Sequence, residues 1–143
     1  EEALKTADEI LGNDSEDEFA FSIKCQCLLT LDRNQEIIDL SNKIKELEES
    51  PYYTLATAYS GLGNVEKALE NIERAIQSEP DDSIMWYNKA CYLSLLDRKD
   101  EALDALLIAT SVDPENLVEL DGETDFRNIK ETERFQKLLN TII

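Results

Sequence analysis

The feature that most constrains this chain is a motif that is written twice. "KALENIERAIQSEP" ends at Pro80 and "EALDALLIATSVDP" ends at Pro114, and both place Ala-Leu, an aliphatic residue, Ala and Pro at the same offsets. One short helical unit cannot bury its apolar face alone, so a chain that repeats such a unit folds by stacking the copies. The sequence therefore predicts an array of equivalent units.

Fixed steps along the chain bring further residues into the same register. The number of residues from Tyr52 to Trp86 is called the long step below. The slightly smaller number from Leu28 to Tyr59 is called the short step. This register predicts one domain over 1–143 that consists of a partial unit, three helix pairs and a closing segment. The expected bounds are 1–17 for the second helix of a truncated repeat, 18–48, 49–82 and 83–116 for the helix pairs, and 117–143 for a C-terminal cap.

Local signals divide each unit into two helices. In the second full unit, Ser50 is the expected N-cap, Pro51 the first-turn proline, and Gly63-Asn64 the turn between the helices. Pro80 is expected to end the second helix, because the residue before a proline disfavours helical backbone. The next unit repeats this plan with Ser83 as the cap, Leu96-Asp97-Arg98 as the turn and Pro114 as the stop.

The closing segment loses the period and ends in an amphipathic pattern. Thr132 is the expected cap of its helix, and Phe135, Leu138, Leu139 and Ile142 are expected on one face. Such a helix would cover the apolar side of the last repeat.

The spacing and the residue types resemble the tetratricopeptide repeat, whose pattern is Trp-x2-Leu-Gly-x2-Tyr, Ala-x3-Phe and Pro within about 34 residues. The resemblance is carried in one unit by Tyr52, Leu55, Ala56, Tyr59, Ala68, Ile72, Ala75 and Pro80, and in the next by Trp86, Ala90, Leu93, Ala102, Leu106, Ala109 and Pro114. The 18–48 unit is shorter and has no closing proline. The resemblance implies an all-α fold, an α-solenoid of stacked antiparallel helix pairs in a right-handed superhelix with a C-terminal capping helix.

Charge and composition exclude several classes of function. The chain has 14 Lys and Arg against 32 Asp and Glu, a net charge of −18, which repels nucleic-acid phosphates and anionic membrane surfaces. There is no histidine, which removes the usual catalytic triads and mixed Cys/His zinc sites, and there is no glycine-rich phosphate loop. We therefore expect no enzyme activity, no catalytic residue, no metal and no cofactor.

The cysteines bear on the compartment. Cys25, Cys27 and Cys91 are odd in number, which favours reduced thiols and a cytoplasmic protein over a disulfide framework. The opening "EEALKTADEILGND" matches the second helix of a unit rather than the first. We therefore expect either a fragment of a longer protein or a chain that has lost the partner helix, and a targeting signal upstream stays open.

The first helices of the three full units are almost without charge. The segments 19–31, 51–62 and 84–96 together include two charged side chains, Lys24 and Lys89. Two interpretations stay open: these helices are sandwiched between neighbours, or they line a neutral groove. In the resembled family the first helices line the concave face, which favours a surface for a peptide or partner segment.

The function expected from this pattern is non-catalytic protein–protein interaction in a neutral groove, with a partner that is neutral, apolar or basic rather than acidic. The alternative is a structural module that self-associates as a homodimer or packs on another domain of a longer protein. Of the family's basic clamp for acidic peptide tails, only Asn88 is present, so we do not expect that specificity. The candidate groove residues are Phe19, Ser22, Gln26, Tyr53, Thr57, Tyr87, Asn88 and Cys91.

Overall fold

A computed structural model describes residues 1–13, 17–43, 51–114 and 126–142, and within these ranges the chain forms helices and no strand. The predicted all-α class is confirmed. The predicted cap Ser50 lies outside the described residues. The helices of the described part are α1 (Glu2–Asn13), α2 (Glu18–Thr30), α3 (Asn34–Lys43), α4 (Tyr52–Gly61), α5 (Val65–Ser78), α6 (Ser83–Leu95), α7 (Lys99–Val112) and α8 (Glu133–Ile142).

The chain divides into two compact units, Glu1–Asn64 and Val65–Ile143, which are called unit 1 and unit 2 below. In unit 1, α1 packs on α2, α2 on α3 and α3 on α4. Its core is built from Phe21 and Leu28 of α2, Ile37 of α3 and Ala58 of α4, all of them buried. Each of these helices therefore buries apolar residues against its sequence neighbour, as expected for helix pairs.

In unit 2, α5 packs on α6, α6 on α7 and α7 on α8. The residues that the long step relates are buried in pairs, and several of them are alanines, because a helix can approach its neighbour closely where side chains are small. The pairs are Ala68 with Ala102, Leu69 with Leu103, Ile72 with Leu106, and Ala75 with Ala109.

The first helix of each full repeat ends in the same local structure. Asp32, Gly63 and Asp97 have positive φ angles of 55°, 75° and 59°, and the short step and the long step relate them in turn. Each lies just past the end of its helix and allows the chain to reverse with a pair of hydrogen bonds typical of a Schellman motif. In each motif the outer of the two hydrogen bonds is 2.9 Å long. The N–H of Arg33 donates it to the Leu28 carbonyl oxygen, that of Asn64 to Tyr59, and that of Arg98 to Leu93.

Two helix starts differ from the sequence prediction. The prediction of Ser83 as a cap is wrong, because Asp82 holds that position and its carboxylate accepts hydrogen bonds from the N–H groups of Ile84 at 2.8 Å and Met85 at 3.2 Å. An aspartate also favours the positive end of the helix dipole. Pro51 occupies the N-cap position of α4, one residue before the first turn where it was expected.

Other predicted boundaries are confirmed. Helices α5 and α7 end at Ser78 and Val112, two residues before Pro80 and Pro114. Helix α8 begins after Thr132, whose hydroxyl oxygen accepts a hydrogen bond from the N–H of Phe135 at 3.2 Å. These boundaries are therefore set by sequence-local signals, as capping requires.

Candidate interaction surface on the first helices

Helix α2 exposes uncharged side chains on the face opposite the core of unit 1. Phe19 is 75% exposed, and Ser22 and Gln26 are exposed as well. At about 100° per residue these positions lie on the other side of the helix from the buried Phe21 and Leu28. A large aromatic ring left in solvent on the same face as two uncharged polar side chains is a surface that a partner can cover.

Helix α4 contributes the second part of the candidate surface within unit 1. Tyr53 is 37% exposed and Thr57 is half-buried. The Thr57 hydroxyl donates a hydrogen bond to the Tyr53 carbonyl at 3.1 Å. This hydroxyl is therefore already used within the helix, and Tyr53 is the larger contact that α4 offers.

The candidates on α6 lie in unit 2 and are more enclosed. Tyr87 and Asn88 are half-buried, and Cys91 is only 5% exposed, so its thiol offers little area to a partner. The Tyr87 ring meets the Phe126 ring edge to face, with 5.5 Å between the centroids. Phe126 is fully buried, so Tyr87 also supports the C-terminal segment.

Both lysines of the first helices are paired with carboxylates. The Lys24 Nζ lies 2.6 Å from the Asp8 Oδ1 in unit 1, and the Lys89 Nζ lies 3.0 Å from the Glu73 Oε1 in unit 2. The lysine side chains are each 22% exposed, so they are largely packed while the amines reach their partners. Lys89 also lies over the Trp86 ring at 5.4 Å from its centroid.

The two ion pairs occupy the same register, because one short step and one long step together take Lys24 to Lys89 and Asp8 to Glu73. At the equivalent positions between them the chain has Leu55 in place of the lysine and Asn42 in place of the acid. Sequence reasoning identified the two lysines but missed the acids that pair with them, because these acids recur only in every second unit.

A second ion pair, between an arginine and a glutamate, recurs at the same spacing of one short step plus one long step. Arg33 donates two hydrogen bonds to Glu36, and Arg98 donates two to Glu101, with N···O distances of 2.5–2.8 Å. These hydrogen bonds lower the pKa of each glutamate and raise the pKa of each arginine. All four side chains are on the surface, so the pairs hold the first turns of α3 and α7 locally.

The described residues hold no group of three or more Cys, Asp or Glu arranged to bind a metal ion. Burial raises the pKa of the Cys25 thiol to about 11, which keeps it protonated and poorly nucleophilic at neutral pH. None of the helices in the described ranges combines the length and apolar character needed to cross a bilayer.

The structure thus places Phe19, Ser22, Gln26, Tyr53 and Thr57 in unit 1 and the three α6 candidates in unit 2. Sequence reasoning expected the closing segment to cover the last repeat but did not predict the contact of Phe126 with Tyr87, because Phe126 lies in the segment without a period. Its signal was the aromatic ring itself, an apolar side chain among charged neighbours.

Comparison with known proteins agrees with the repeat register. The tetratricopeptide repeat family model matches residues 49–82 and 84–116. The chain is also similar to an uncharacterized protein of Methanocaldococcus jannaschii, with 34% identity over 74 residues that cover 52% of this chain and 84% of that protein.

Proposed function

Because the chain belongs to the tetratricopeptide repeat family of helical-repeat solenoids, we propose that it binds partner segments on the uncharged faces of its first helices, which are α2 and α4 within unit 1 and α6 within unit 2, each unit taken by itself. Repeats of this family indicate a protein–protein interaction or scaffold module. The finer proposal concerns where this chain binds and what kind of segment it selects.

The observation that carries the proposal is the pair of exposed aromatic rings in unit 1. Phe19 and Tyr53 leave 75% and 37% of their surface in solvent, although the opposite faces of both helices pack in the core of unit 1. Rigid aromatic rings contribute large contact area at a small cost in side-chain entropy, and they are enriched among residues that dominate binding energy. Ser22 and Gln26 add hydrogen-bonding groups beside Phe19.

Charge defines the partner class. The two cations of the first helices already contact Asp8 and Glu73, so an incoming carboxylate would compete with those bonds. The net charge of −18 opposes the approach of an acidic chain. A neutral, apolar or basic segment meets neither obstacle, and it is the partner that we propose.

In unit 2 the proposed contacts are Asn88 and the exposed part of Tyr87. Cys91 lies behind them with 5% of its surface exposed and supports the surface rather than forming it. The contact between Tyr87 and Phe126 makes Tyr87 unsuitable for truncation in a binding test, since its loss would also disturb the C-terminal segment.

The test is a screen of a peptide library, with peptides of about 15 residues, a length that fits groove recognition. Retained peptides are titrated by fluorescence polarisation against the wild type and the double variant Phe19→Ala with Tyr53→Ala. We expect apolar or basic peptides to be retained, and we expect the double variant to raise their Kd by at least about tenfold.

The matched control is Leu31→Ala with Leu62→Ala, two leucines at helix ends in the same unit that are 42% and 47% exposed. The control should bind as the wild type does. The proposal fails if no peptide is retained or if the control loses affinity equally. Light scattering that shows a dimer broken by the Phe19 and Tyr53 substitutions would instead support the alternative, self-association through these faces.

A further inference from the structure

We propose that the exposed face of α7 binds the same face of a second copy of this chain and forms a two-fold dimer. This face lies in unit 2 and uses none of the residues proposed for peptide binding, so each proposal can fail without the other. It consists of the apolar strip Leu107, Ile108 and Val112 and of the cavity on either side of it.

The strip exposes three large apolar residues on the C-terminal half of α7. Leu107 is 56% exposed, Ile108 37% and Val112 40%, while Ala102, Leu106 and Ala109 on the opposite side of the helix are buried. Ile108 and Val112 lie one helical turn apart, and Leu107 lies about 100° around the helix axis from Ile108. The solvent-facing half of α7 therefore carries three partly exposed large apolar side chains, which a partner can cover.

The repeat itself supplies an internal comparison for the two central positions of the strip. The long and short steps relate Leu107 and Ile108 to a polar or charged residue in every other second helix of the chain. The position of Leu107 holds Asp8, Asn42 and Glu73, and that of Ile108 holds Glu9, Lys43 and Arg74. The repeat fold thus does not need apolar residues at these two positions, and α7 has them for another reason.

The position of Val112 is less uniform along the chain. It holds Asn13 in α1 and Ser78 in α5, and it holds Leu47 in the short repeat, outside the described residues. An apolar residue at this position is therefore not peculiar to α7. The comparison thus depends on Leu107 and Ile108, and Val112 extends the apolar area that they begin.

Two cavities flank the strip and differ in charge. The cavity beside Val112, of about 730 Å³, is lined by Ile84 and by four carboxylates, those of Glu79, Asp81, Asp82 and Asp113. The cavity beside Leu107, of about 520 Å³, is lined by Leu138 and by two cations, those of Arg134 and Lys137. Among the described residues no basic side chain lines the first cavity and no acidic one lines the second.

This arrangement is complementary to itself. A two-fold axis that runs along the strip, parallel to α7, places the acidic flank of one copy against the basic flank of the other, twice in each dimer, with the apolar strips in contact between them. A partner of a single charge sign would match only one flank. The charge pattern therefore fits a second copy better than a uniformly acidic or basic segment, and the contacts at the two flanks offset the long-range repulsion between two chains of net charge −18, which salt screens.

Lys137 is the cation that can exchange its partner. Its Nζ contacts Glu133 at 2.7 Å, and the two side chains are 73% and 83% exposed, which makes the pair weak. Arg134 of α8 contacts two carboxylates of α7 in the same chain, Asp104 at 2.6 Å and Asp100 at 3.3 Å. We therefore assign the contact with the partner copy's carboxylates to Lys137.

The first experiment measures mass by light scattering on a size-exclusion column. The wild type should be a dimer at about 100 μM, well above the Kd of a specific interface of standard size. Ile108→Asp should be a monomer with unchanged helical circular dichroism, because the side chain is exposed. The control Leu62→Asp, a similarly exposed residue outside the face, should stay a dimer. A monomeric wild type, or an Ile108→Asp dimer, overturns the proposal.

The second experiment exchanges charges. Asp81→Lys alone and Lys137→Glu alone should each raise the dimer Kd by at least about tenfold, because each places like charges together at both symmetric contacts. An equimolar mixture of the two variants should form a heterodimer near the wild-type affinity, since opposite charges again meet at each flank. A mixture no tighter than the separate variants would show that the flanks do not meet and would overturn the two-fold arrangement.

Discussion

Phe126 should be the residue that holds the C-terminal segment on unit 2, and Phe126→Ala should destabilise the protein more than any surface change. Its side chain is fully buried, its ring meets Tyr87 at 5.5 Å edge to face, and it lies 6.3 Å from the Phe135 ring. Truncation removes the buried ring and leaves a cavity, which costs about 3–5 kcal/mol. Part of this loss, about 0.5–1.5 kcal/mol, belongs to the aromatic contact with Tyr87.

The assay is thermal unfolding followed by circular dichroism in the far ultraviolet, together with urea titration. A chain of 143 residues should lose about 3–4 °C in Tm per kcal/mol, so Phe126→Ala should lower Tm by roughly 10–20 °C. Tyr87→Phe keeps the ring and should cost at most about 1.5 kcal/mol, the value of one hydrogen bond.

A double-mutant cycle isolates the contact itself. Tyr87→Ala and Phe126→Ala together should cost less than the sum of the single losses, by about 0.5–1.5 kcal/mol, because the two rings share one contact. Strict additivity would mean that the rings do not interact. A loss below about 1 kcal/mol for Phe126→Ala would refute the assignment of this residue as a buried anchor.

Three further substitutions have definite expected outcomes. Gly61→Ala should lower the free energy of unfolding in urea by about 1–3 kcal/mol, because a Cβ at this position would overlap the Asn34 amide. Adding Asn34→Ala should restore part of that free energy. Losses that simply add in the double variant would contradict the overlap. The Cys25 thiol, with its pKa raised from 9.0 to about 11 by burial, stabilises the fold below the unfolded-state pKa, and that contribution should be lost as pH rises from about 9 to 11. Cys25→Ala should remove this alkaline slope from the pH dependence of urea unfolding, and an unchanged slope would assign it to other groups. Lys89→Leu should change stability by less than about 1 kcal/mol, since the pair with Glu73 is partly exposed, whereas Lys89→Glu should be clearly destabilising by like-charge repulsion; equal effects would show that charge is irrelevant there.

The sequence was sufficient for the helix pairs because their packing is periodic. The residues that a helix buries against its neighbour, such as Ala68 and Leu69 of α5, recur at a fixed step along the chain. The same residue types at the same positions of the next unit therefore support the prediction. Helix ends were predictable for a similar reason, since a cap or a stop involves residues that are close together in the chain. The wrong cap arose where two capping residues, Asp82 and Ser83, are adjacent and the aspartate takes the position.

The candidate site was less predictable because its details depend on contacts that no short period encodes. The sequence placed Tyr87 on the uncharged face of its helix but gave no sign that Phe126, in the closing segment, would pack against it. It also placed Cys91 among the groove contacts, because the helical stripe does not reveal how much of its border is covered in the folded chain. Segments without a repeat have no second copy against which to test a proposed contact.

Some residue types recur in every unit and others in every second unit, and this difference helps to distinguish positions needed for stability from positions kept for function. Core positions recur in every unit, because every interface between helices needs them. The ion pairs skip one unit and give way there to Leu55 and Asn42, so the fold accepts either solution at that position. The centre of the strip on α7 follows neither rule, because three copies keep the positions of Leu107 and Ile108 polar or charged and the fourth exposes large apolar side chains there. A departure that leaves large apolar side chains partly in solvent is best explained by contact with another molecule, which is why the charge exchange at Asp81 and Lys137 is the decisive experiment on this chain.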